Sequence, residues 1–238
     1  MAKNKSTKIL ECEKPWIFAV LIAVGGFLGA YTYTQRGGVF CNAQTANILI
    51  FAVRLGERNW HGALYYLIPI SAYLAGTILS EFLPRRVNSI GLLRWDTALV
   101  GFEILCVVAL GLIPDSYPPQ ISQVAVNFIA SMQYNTFRQA KEVPMATTFC
   151  TNHLRQVGVH TVKWLRHRDA EAGKRLAAHF VMITSFSLGA VTGTVLGTYF
   201  GGRSIFGAGI MLAVVFIDLL SADLGRERGQ FDIVPHGH

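Results

Sequence analysis

Two short polar stretches interrupt an otherwise apolar chain, and they hold most of the residues that could do chemistry. The first, residues 39–53, contains Asn42, Gln44, Thr45 and Asn47. The second, residues 143–162, carries Thr147, Thr148, Thr151, Asn152, His153 and Arg155. Amide and hydroxyl groups can bind an uncharged solute, His153 can relay protons near neutral pH, and Arg155 can bind an anion.

A single carboxylate, Glu103, lies near the centre of the apolar stretch 91–113. A carboxylate at membrane depth is a candidate functional group by default, because it is costly to bury. It could carry a proton or a cation. The alternative is a structural Glu103 that is protonated, or paired with Arg36, Arg138 or Arg155.

These side chains are predicted to face one polar cavity near the middle of the membrane. The candidate site therefore consists of Asn42, Gln44, Thr45, Asn47, Glu103, Thr148, Thr151, Asn152, His153 and Arg155. The alternative is that the same groups only hydrogen-bond neighbouring helices together. Both alternatives remain open at this point.

The elements that must position this site are apolar helices. Hydrophobic residues make up 52% of the 238-residue chain and charged residues 15%, against about 25% charged in soluble domains. Six stretches approach the ~20 apolar residues that a span requires: residues 15–33, 61–82, 91–113, 120–137, 177–200 and 205–220. The sequence predicts an all-α integral membrane helical bundle. Within it, Gly189, Gly193 and Gly197 form a small-residue ridge suited to close helix packing.

The two halves of the chain also resemble each other in sequence. Aligning Thr45 with Thr151 gives an offset of 106 residues, and aligning Gly76 with Gly193 gives 117. The shared order is a helix, a polar stretch, a small-residue helix and a fourth apolar segment. We expect one membrane domain, residues 1–238, made of two repeats at about 15–113 and about 119–222, with short tails at both ends.

The basic residues predict how the repeats are oriented. With six spans and two re-entrant or broken polar stretches, 17 of the 21 Lys and Arg residues lie on the side of both termini. With eight spans the number falls to 14. Because basic loops are cytoplasmic, six spans, cytoplasmic termini and an inverted duplication are favoured. Eight spans are the alternative.

Other classes of protein fit less well. The net charge is +7, but the basic residues separate apolar runs and do not form the continuous face of a nucleic-acid binder. The four cysteines form no CxxC pair, so neither a disulfide framework nor a zinc site is expected. Enzyme motifs such as GxSxG and HExxH are missing from the sequence. We expect no cofactor, no metal and no nucleic-acid partner.

Several pieces of the chain resemble the YoaK-like family of uncharacterised bacterial multi-pass membrane proteins. They are residues 25–31, 37–40, 42–47, 133–138 and 147–151. The similarity covers nearly the whole chain. It implies a multi-pass protein of the bacterial inner (cytoplasmic) membrane, with one Thr-Gly-Asn-like element in each half. These elements read Thr45-Ala46-Asn47 and Thr151-Asn152-His153 here.

The functional hypothesis is a small-solute transporter or channel with a polar site at the midplane. The alternatives are a membrane-embedded enzyme or sensor that uses the same cleft, and a structural or partner-binding membrane protein. The expected partners are the lipid bilayer and a small solute, and self-association into a homo-oligomer is left open.

Overall fold

The computed structural model describes residues 9–141, 143–231, 233 and 235. The prediction of an all-helical fold is confirmed. The α-helices are α1 (Pro15–Gln35), α2 (Gln44–Gly56), α3 (Trp60–Ile90), α4 (Trp95–Leu112), α5 (Gln120–Thr136), α6 (Thr151–His167), α7 (Ala170–Phe200) and α8 (Phe206–Ser221). Short 3-10 turns occupy Glu11–Glu13 and Gly201–Ile205, and a π-turn occupies Ala222–Arg226. A two-residue antiparallel pair joins β1 (Gln139–Ala140) to β2 (Val143–Pro144).

Within the described residues, four helical runs are long and apolar enough to cross a membrane. They are Pro15–Gln35, Trp60–Ile90, Trp95–Leu112 and the continuous run Ala170–Arg226, which contains both α7 and α8. Large apolar side chains on α3 and α7 face outward, including Leu64, Leu74, Phe82, Leu188 and Tyr199. Such extensive apolar exposure is typical of a lipid-facing surface.

The bundle has two ends, each closed by contacts between distant parts of the chain. At the tail end, the backbone N–H of Glu11 donates to Glu227 Oε1 at 2.8 Å, and the backbone N–H of Arg94 donates to Asp223 Oδ2 at 2.9 Å. At the far end, Arg36 pairs with Asp115 at 2.8 Å. Both described termini therefore lie at the tail end.

Contacts at these ends give the direction of each long helix. Helices α1, α4 and α7 run from the tail end to the far end. Helices α3, α5 and α8 run the opposite way. Helix α5, for example, begins where Gln123 Nε2 donates to the carbonyl of Arg36 and ends where Trp95 Nε1 donates to Thr136 Oγ1 at 2.8 Å. Of these six helices of the described chain, three therefore run in each direction.

Helices α1 and α7 pack closely together, and glycines make the close contact possible. A Cβ added at Gly189 would collide with the backbone oxygen of Ala23, and one added at Gly193 would lie 2.8 Å from the oxygen of Phe27. On the other side, a Cβ at Gly26 would collide with the oxygen of Phe186. The prediction that the α7 glycines form a close-packing ridge is confirmed.

Helices α3 and α5 form a second close pair. A Cβ added at Gly76 would collide with Ser131 Oγ and the oxygen of Phe128. Toward the tail end, Asn135 Nδ2 donates to Ser80 Oγ at 2.9 Å, and Arg138 pairs with Glu81 at 2.9 Å. Contacts along the length of both helices fix their parallel alignment.

Local signals account for where the two longest helices begin and end. Helix α3 begins after Asn59, whose side chain accepts the N–H of Gly62 at 2.9 Å, and ends at Gly91 in the left-handed conformation. Helix α7 begins after Asp169, whose side chain accepts the N–H of Glu171 at 2.9 Å. Both signals satisfy backbone groups that a helix end leaves free.

Replacing Gly189 by alanine tests the α1–α7 contact. Because the new methyl group meets backbone atoms that cannot move aside, Gly189→Ala is expected to cost about 1–3 kcal/mol. Gly158→Ala is the matched control, since nothing lies within 4 Å of its Cβ position and alanine favours a helix by up to about 1 kcal/mol. Thermal unfolding in detergent measures both; equal melting temperatures would contradict the close contact.

Candidate functional site

The first polar stretch enters the bundle from the far end and stops at its middle. After α1, Gly37 and Gly38 adopt φ of +79° and +75°, which turns the chain back into the bundle. Residues 38–43 are not helical, and Asn42 Nδ2 donates to the carbonyl of Gly25, halfway along α1, at 3.0 Å. We call residues 38–56, which include α2, the first broken segment.

Helix α2 begins at this depth. Gln44, its first residue, donates from Nε2 to Asn127 Oδ1 in the middle of α5 at 2.7 Å. Its C-terminus connects within a few residues to Trp60, where α3 starts at the far end. Helix α2 therefore returns to the end from which its segment entered.

The second polar stretch follows the same path from the tail end. Residues 143–150 lead inward, and the carbonyl of Thr147 accepts Gln133 Nε2 at 3.3 Å. The same Nε2 also donates to the carbonyl of Leu21 on α1 at 3.2 Å. Helix α6 then runs from Thr151 to His167, and α7 follows at once. We call residues 143–167 the second broken segment.

The two broken segments meet on α1 at Gly25. The carbonyl of Gly25 accepts the Asn42 side chain. A Cβ added at Gly25 would lie 2.6 Å from the oxygen of Thr147 and 3.1 Å from Cα of Thr148. The structure thus brings Asn42 and Thr148, two residues of the predicted site, to the same glycine.

One side chain in each broken segment holds the extended part in place. In the first, the N–H of Phe40 donates to Asn47 Oδ1 at 3.3 Å, and Asn47 Nδ2 donates to the carbonyl of Phe40 at 2.6 Å. In the second, His153 Nε2 lies 3.3 Å from the nitrogen and 2.9 Å from the oxygen of Ala146. Each of these two residues, which we call brackets, binds the backbone seven residues earlier and is fully buried.

The hydroxyls of Thr147 and Thr148 are buried at the same place. Both residues are 0% exposed, and neither hydroxyl has a hydrogen-bond partner among the described residues. A buried hydroxyl without a partner is energetically unfavourable. These two groups are therefore the ones at the meeting point best able to bind something further.

Other residues of the predicted site lie elsewhere in the broken segments. Thr45 and Thr151, at the starts of α2 and α6, are exposed, as is Arg155. Arg155 Nη2 donates to Asn152 Oδ1 at 3.2 Å. The structure thus separates the predicted set into buried groups at the meeting point and groups on the outside of the two short helices.

Glu103 lies in apolar surroundings on α4, away from the two broken segments. It is 2% exposed on the buried stripe of α4, which includes Leu99, Val100 and Val107. Neither carboxylate oxygen has a hydrogen-bond partner among the described residues. Because an isolated ionised carboxylate is very costly in apolar surroundings, the neutral acid is the form that fits this position. No hydrogen bond or ion pair in the described part of the chain joins Glu103 to either broken segment.

Sequence reasoning missed the contribution of α5. Gln123 and Asn127, both fully buried, continue the contact with Gln44 toward the far end. Asn127 Nδ2 donates to the carbonyl of Gln123 at 2.8 Å, and Gln123 Nε2 donates to the hydroxyl of Tyr65. The available signal was the four-residue spacing of Gln123, Asn127 and Ser131, which places three polar side chains on one helix face.

Two cavities flank Arg138 at the tail end. The larger, about 330 Å³, is lined by residues that include Glu13, Glu81, Trp95 and Asp96. The smaller, about 310 Å³, lies against the second broken segment and is lined by Tyr134, Asn135, Pro144, Met145, Ala146, Phe149 and Asn152. Arg138 lines both. Among the residues described, no group of three His, Cys, Asp or Glu side chains is arranged to hold a metal ion.

Replacing Glu103 tests whether its carboxyl group binds water, a solute or another protein group. Glu103→Met removes two unpartnered oxygens at similar length, so we expect a gain of about 1–3 kcal/mol in stability. Glu103→Gln, which keeps two polar atoms in the same place, is the matched control and should melt close to the parent protein. A melting temperature lowered by Glu103→Met would mean that the carboxyl group binds water, solute or protein.

Residues 17–217 match the family described as "Protein of unknown function (DUF1275)". No curated protein and no solved structure matches the chain. The match agrees with the prediction of an uncharacterised family, whereas the YoaK-like name and the bacterial origin stay predictions. Because the match covers most of the chain and includes both broken segments, the chain belongs to the DUF1275 family of proteins of unknown function.

Proposed function

We propose that this protein is a membrane transporter or channel for a small solute, with six spans and two re-entrant segments arranged as two inverted halves. One observation carries the proposal: the two broken segments enter from opposite ends and meet at Gly25. Irregular polar backbone at membrane depth is tolerated where it is buried in protein or lines a path for solute. Paired discontinuous helices at the midplane are typical of transporter sites.

The matching construction of the two halves supports a duplication. Helices α3 and α7 are both 31 residues long. At the 106-residue offset of Thr45 and Thr151, the bracket Asn47 corresponds to His153 and its target Phe40 to Ala146. The contacts between helices also match. In the duplication α1 corresponds to α5 and α3 to α7, so the contact of α1 with α7 corresponds to the contact of α5 with α3.

The opposite directions of the two halves support an inverted duplication. Helix α1 runs from the tail end to the far end, and its counterpart α5 runs back. The first broken segment enters from the far end and the second from the tail end. In the proposed arrangement α1, α3, α4, α5, α7 and α8 span the bilayer, whereas α2 and α6 begin at its middle and return to the side they came from.

The distribution of charge supports a cytoplasmic tail end. In the six-span arrangement, Arg36, Arg54, Arg58 and Arg203 are the basic residues on the far side, and the other 17 lie on the side of the termini. The positive-inside rule then places both termini in the cytoplasm. The resemblance to the YoaK-like family supports a location in the bacterial inner membrane. Lipid would then surround the exposed faces of α3 and α7.

A second candidate is a structural protein whose polar groups only hold the two halves together. The hydrogen bonds of Asn42, Gln44 and Asn47 favour it, since each of these side chains is occupied by protein partners. The hydroxyls of Thr147 and Thr148 favour the transporter, because no described group occupies them. The two candidates therefore differ in what a buried threonine contributes.

Membrane topology is testable with single cysteines. We expect Glu57→Cys, at the far end, to react with a membrane-impermeant maleimide added to intact cells, and Ser89→Cys, at the tail end, to react only after the cells are opened. Both positions are exposed, and alanine replaces the four native cysteines. The eight-span alternative requires the reverse pattern, so one pair of variants separates the two arrangements.

Solute flux separates transport from structural support. Proteoliposomes swelling in glycerol, urea or formate would measure permeability. If the Thr148 hydroxyl binds solute, Thr148→Val should lower the rate about tenfold, the value of one lost hydrogen bond, and leave the melting temperature unchanged or higher. The exposed Thr45→Val is the matched control and should keep the parent rate.

If the protein is only structural, the same assay should give different swelling rates. Vesicles containing the parent protein would swell no faster than empty vesicles in all three solutes. Equal rates in the parent protein and Thr148→Val, with clear flux above empty vesicles, would mean that solute passes elsewhere. Either result overturns the proposed site.

A further inference from the structure

Three buried histidines lie together between α6 and the start of α7. His153, His160 and His179 are 0%, 8% and 1% exposed. His153 Nδ1 lies 2.9 Å from His179 Nδ1, and the rings of His160 and His179 stack with centroids 6.0 Å apart. The trio therefore links the bracket of the second broken segment to the spanning helix α7.

Two arrangements of protons on the neutral rings fit the distances. In the first, His153 Nε2–H donates to the carbonyl of Ala146, and His153 Nδ1 accepts the N–H of His179. In the second, His153 Nε2 accepts the N–H of Ala146, and His153 Nδ1–H donates to His179 Nδ1. In both arrangements one proton, and not two, lies between the rings.

We propose that the His153–His179 pair is a proton-binding site that releases the second broken segment when both rings are protonated. A protonated imidazole carries an N–H on each ring nitrogen, so two protonated rings would bring two N–H groups face to face at 2.9 Å. The His153 ring must then turn away, and its bond to Ala146 is lost. Because Ala146 lines the 310 Å³ cavity, the release changes the shape of that cavity.

The first broken segment has no histidine at the position that corresponds to His153. There the bracket is Asn47, which binds Phe40 at the same seven-residue spacing but has no group that titrates. Protons therefore act on one broken segment and not on the other. Within the proposed function, this makes access from the tail end depend on pH, whereas access from the far end does not.

Burial opposes protonation of both histidines on α6. Burial lowers the pKa of His153 against the opposing effect of its hydrogen bond to the Ala146 backbone, and burial followed by the positive charges of Lys163 and Arg175 lowers the pKa of His160. Asp169 acts in the opposite direction on His160, while Glu171 pairs with Arg175 at 3.3 Å. All these groups belong to α6, α7 and their connection.

The direction of the pH effect follows from these shifts. A histidine whose pKa is lower in the folded protein binds fewer protons there than in the unfolded chain. Its contribution to stability is therefore complete above the unfolded value of about 6.5 and is lost as the pH falls below it. Acid, and not base, is expected to loosen the second broken segment.

A cysteine in each broken segment reports the release without measuring transport. Thr147→Cys, with the four native cysteines replaced by alanine, places a thiol in the second segment. Native Cys41, kept as the single cysteine, occupies the corresponding position 106 residues earlier. Both positions are 0% exposed. The probe is 4,4′-dithiodipyridine, which reacts with thiols in acid as well as at neutral pH.

We expect labelling of Thr147→Cys to accelerate about tenfold relative to Cys41 as the pH falls from about 7 to about 4, because the lowered pKa values place the titration below the ordinary histidine value of about 6.5. Adding His153→Asn, which copies the bracket of the first half, should abolish the acceleration and leave the protein folded. His160→Asn gives a second variant in case His153→Asn does not fold, and it should shift the pH midpoint.

The outcomes distinguish this proposal from the proposed function. Equal pH profiles for Thr147→Cys and Cys41, an acceleration that persists in His153→Asn, or an unchanged pH midpoint in His160→Asn would overturn the proton site whatever the flux measurements give. Loss of flux activity in the swelling assay, with the pH-dependent labelling intact, would overturn the transporter and leave the proton site standing.

Discussion

The structure depends on the need to satisfy polar backbone at the centre of a bundle whose outside is apolar. Hydrocarbon offers no hydrogen bonds, so each backbone group brought to this depth must find a partner in the protein. Part of this need is met by one side chain within each segment, Asn47 for Phe40 and His153 for Ala146, and Gln133 on α5 binds the carbonyl of Thr147. The two short helices can start at mid-depth because these bonds hold the segments that lead to them.

Helix α1 provides the surface on which these segments rest. Gly25 faces the second broken segment, Gly26 faces α7 and Gly29 faces the Asn42 side chain. A side chain at any of these positions would push a neighbouring element away. The apolar helix at the centre of the bundle is therefore defined as much by small residues on three sides as by its hydropathy.

The sequence predicted what depends on local composition. The helical class, the two interrupted stretches and the α7 glycine ridge follow from residue type and spacing alone. Some partners of the polar groups, such as Asn127 for Gln44, were not predictable because they come from helices far away in sequence. The bonds of Asn47 to Phe40 and of His153 to Ala146 span only seven residues, but they depend on non-helical backbone whose path the residue types do not reveal. Thr45 and Thr148 look alike in the sequence, yet one is exposed and the other buried.

The pairing of α1 with α7 has a consequence for how the protein is made. The residues that cover the glycines of α1, such as Phe186 and Gly189, are synthesised about 160 residues after α1 itself. At ordinary rates of translation this delay is on the order of 10 s or more. During that time α1 lacks its main neighbour. The growing chain therefore leaves the glycine surface of α1 without its partner until α7 has been made.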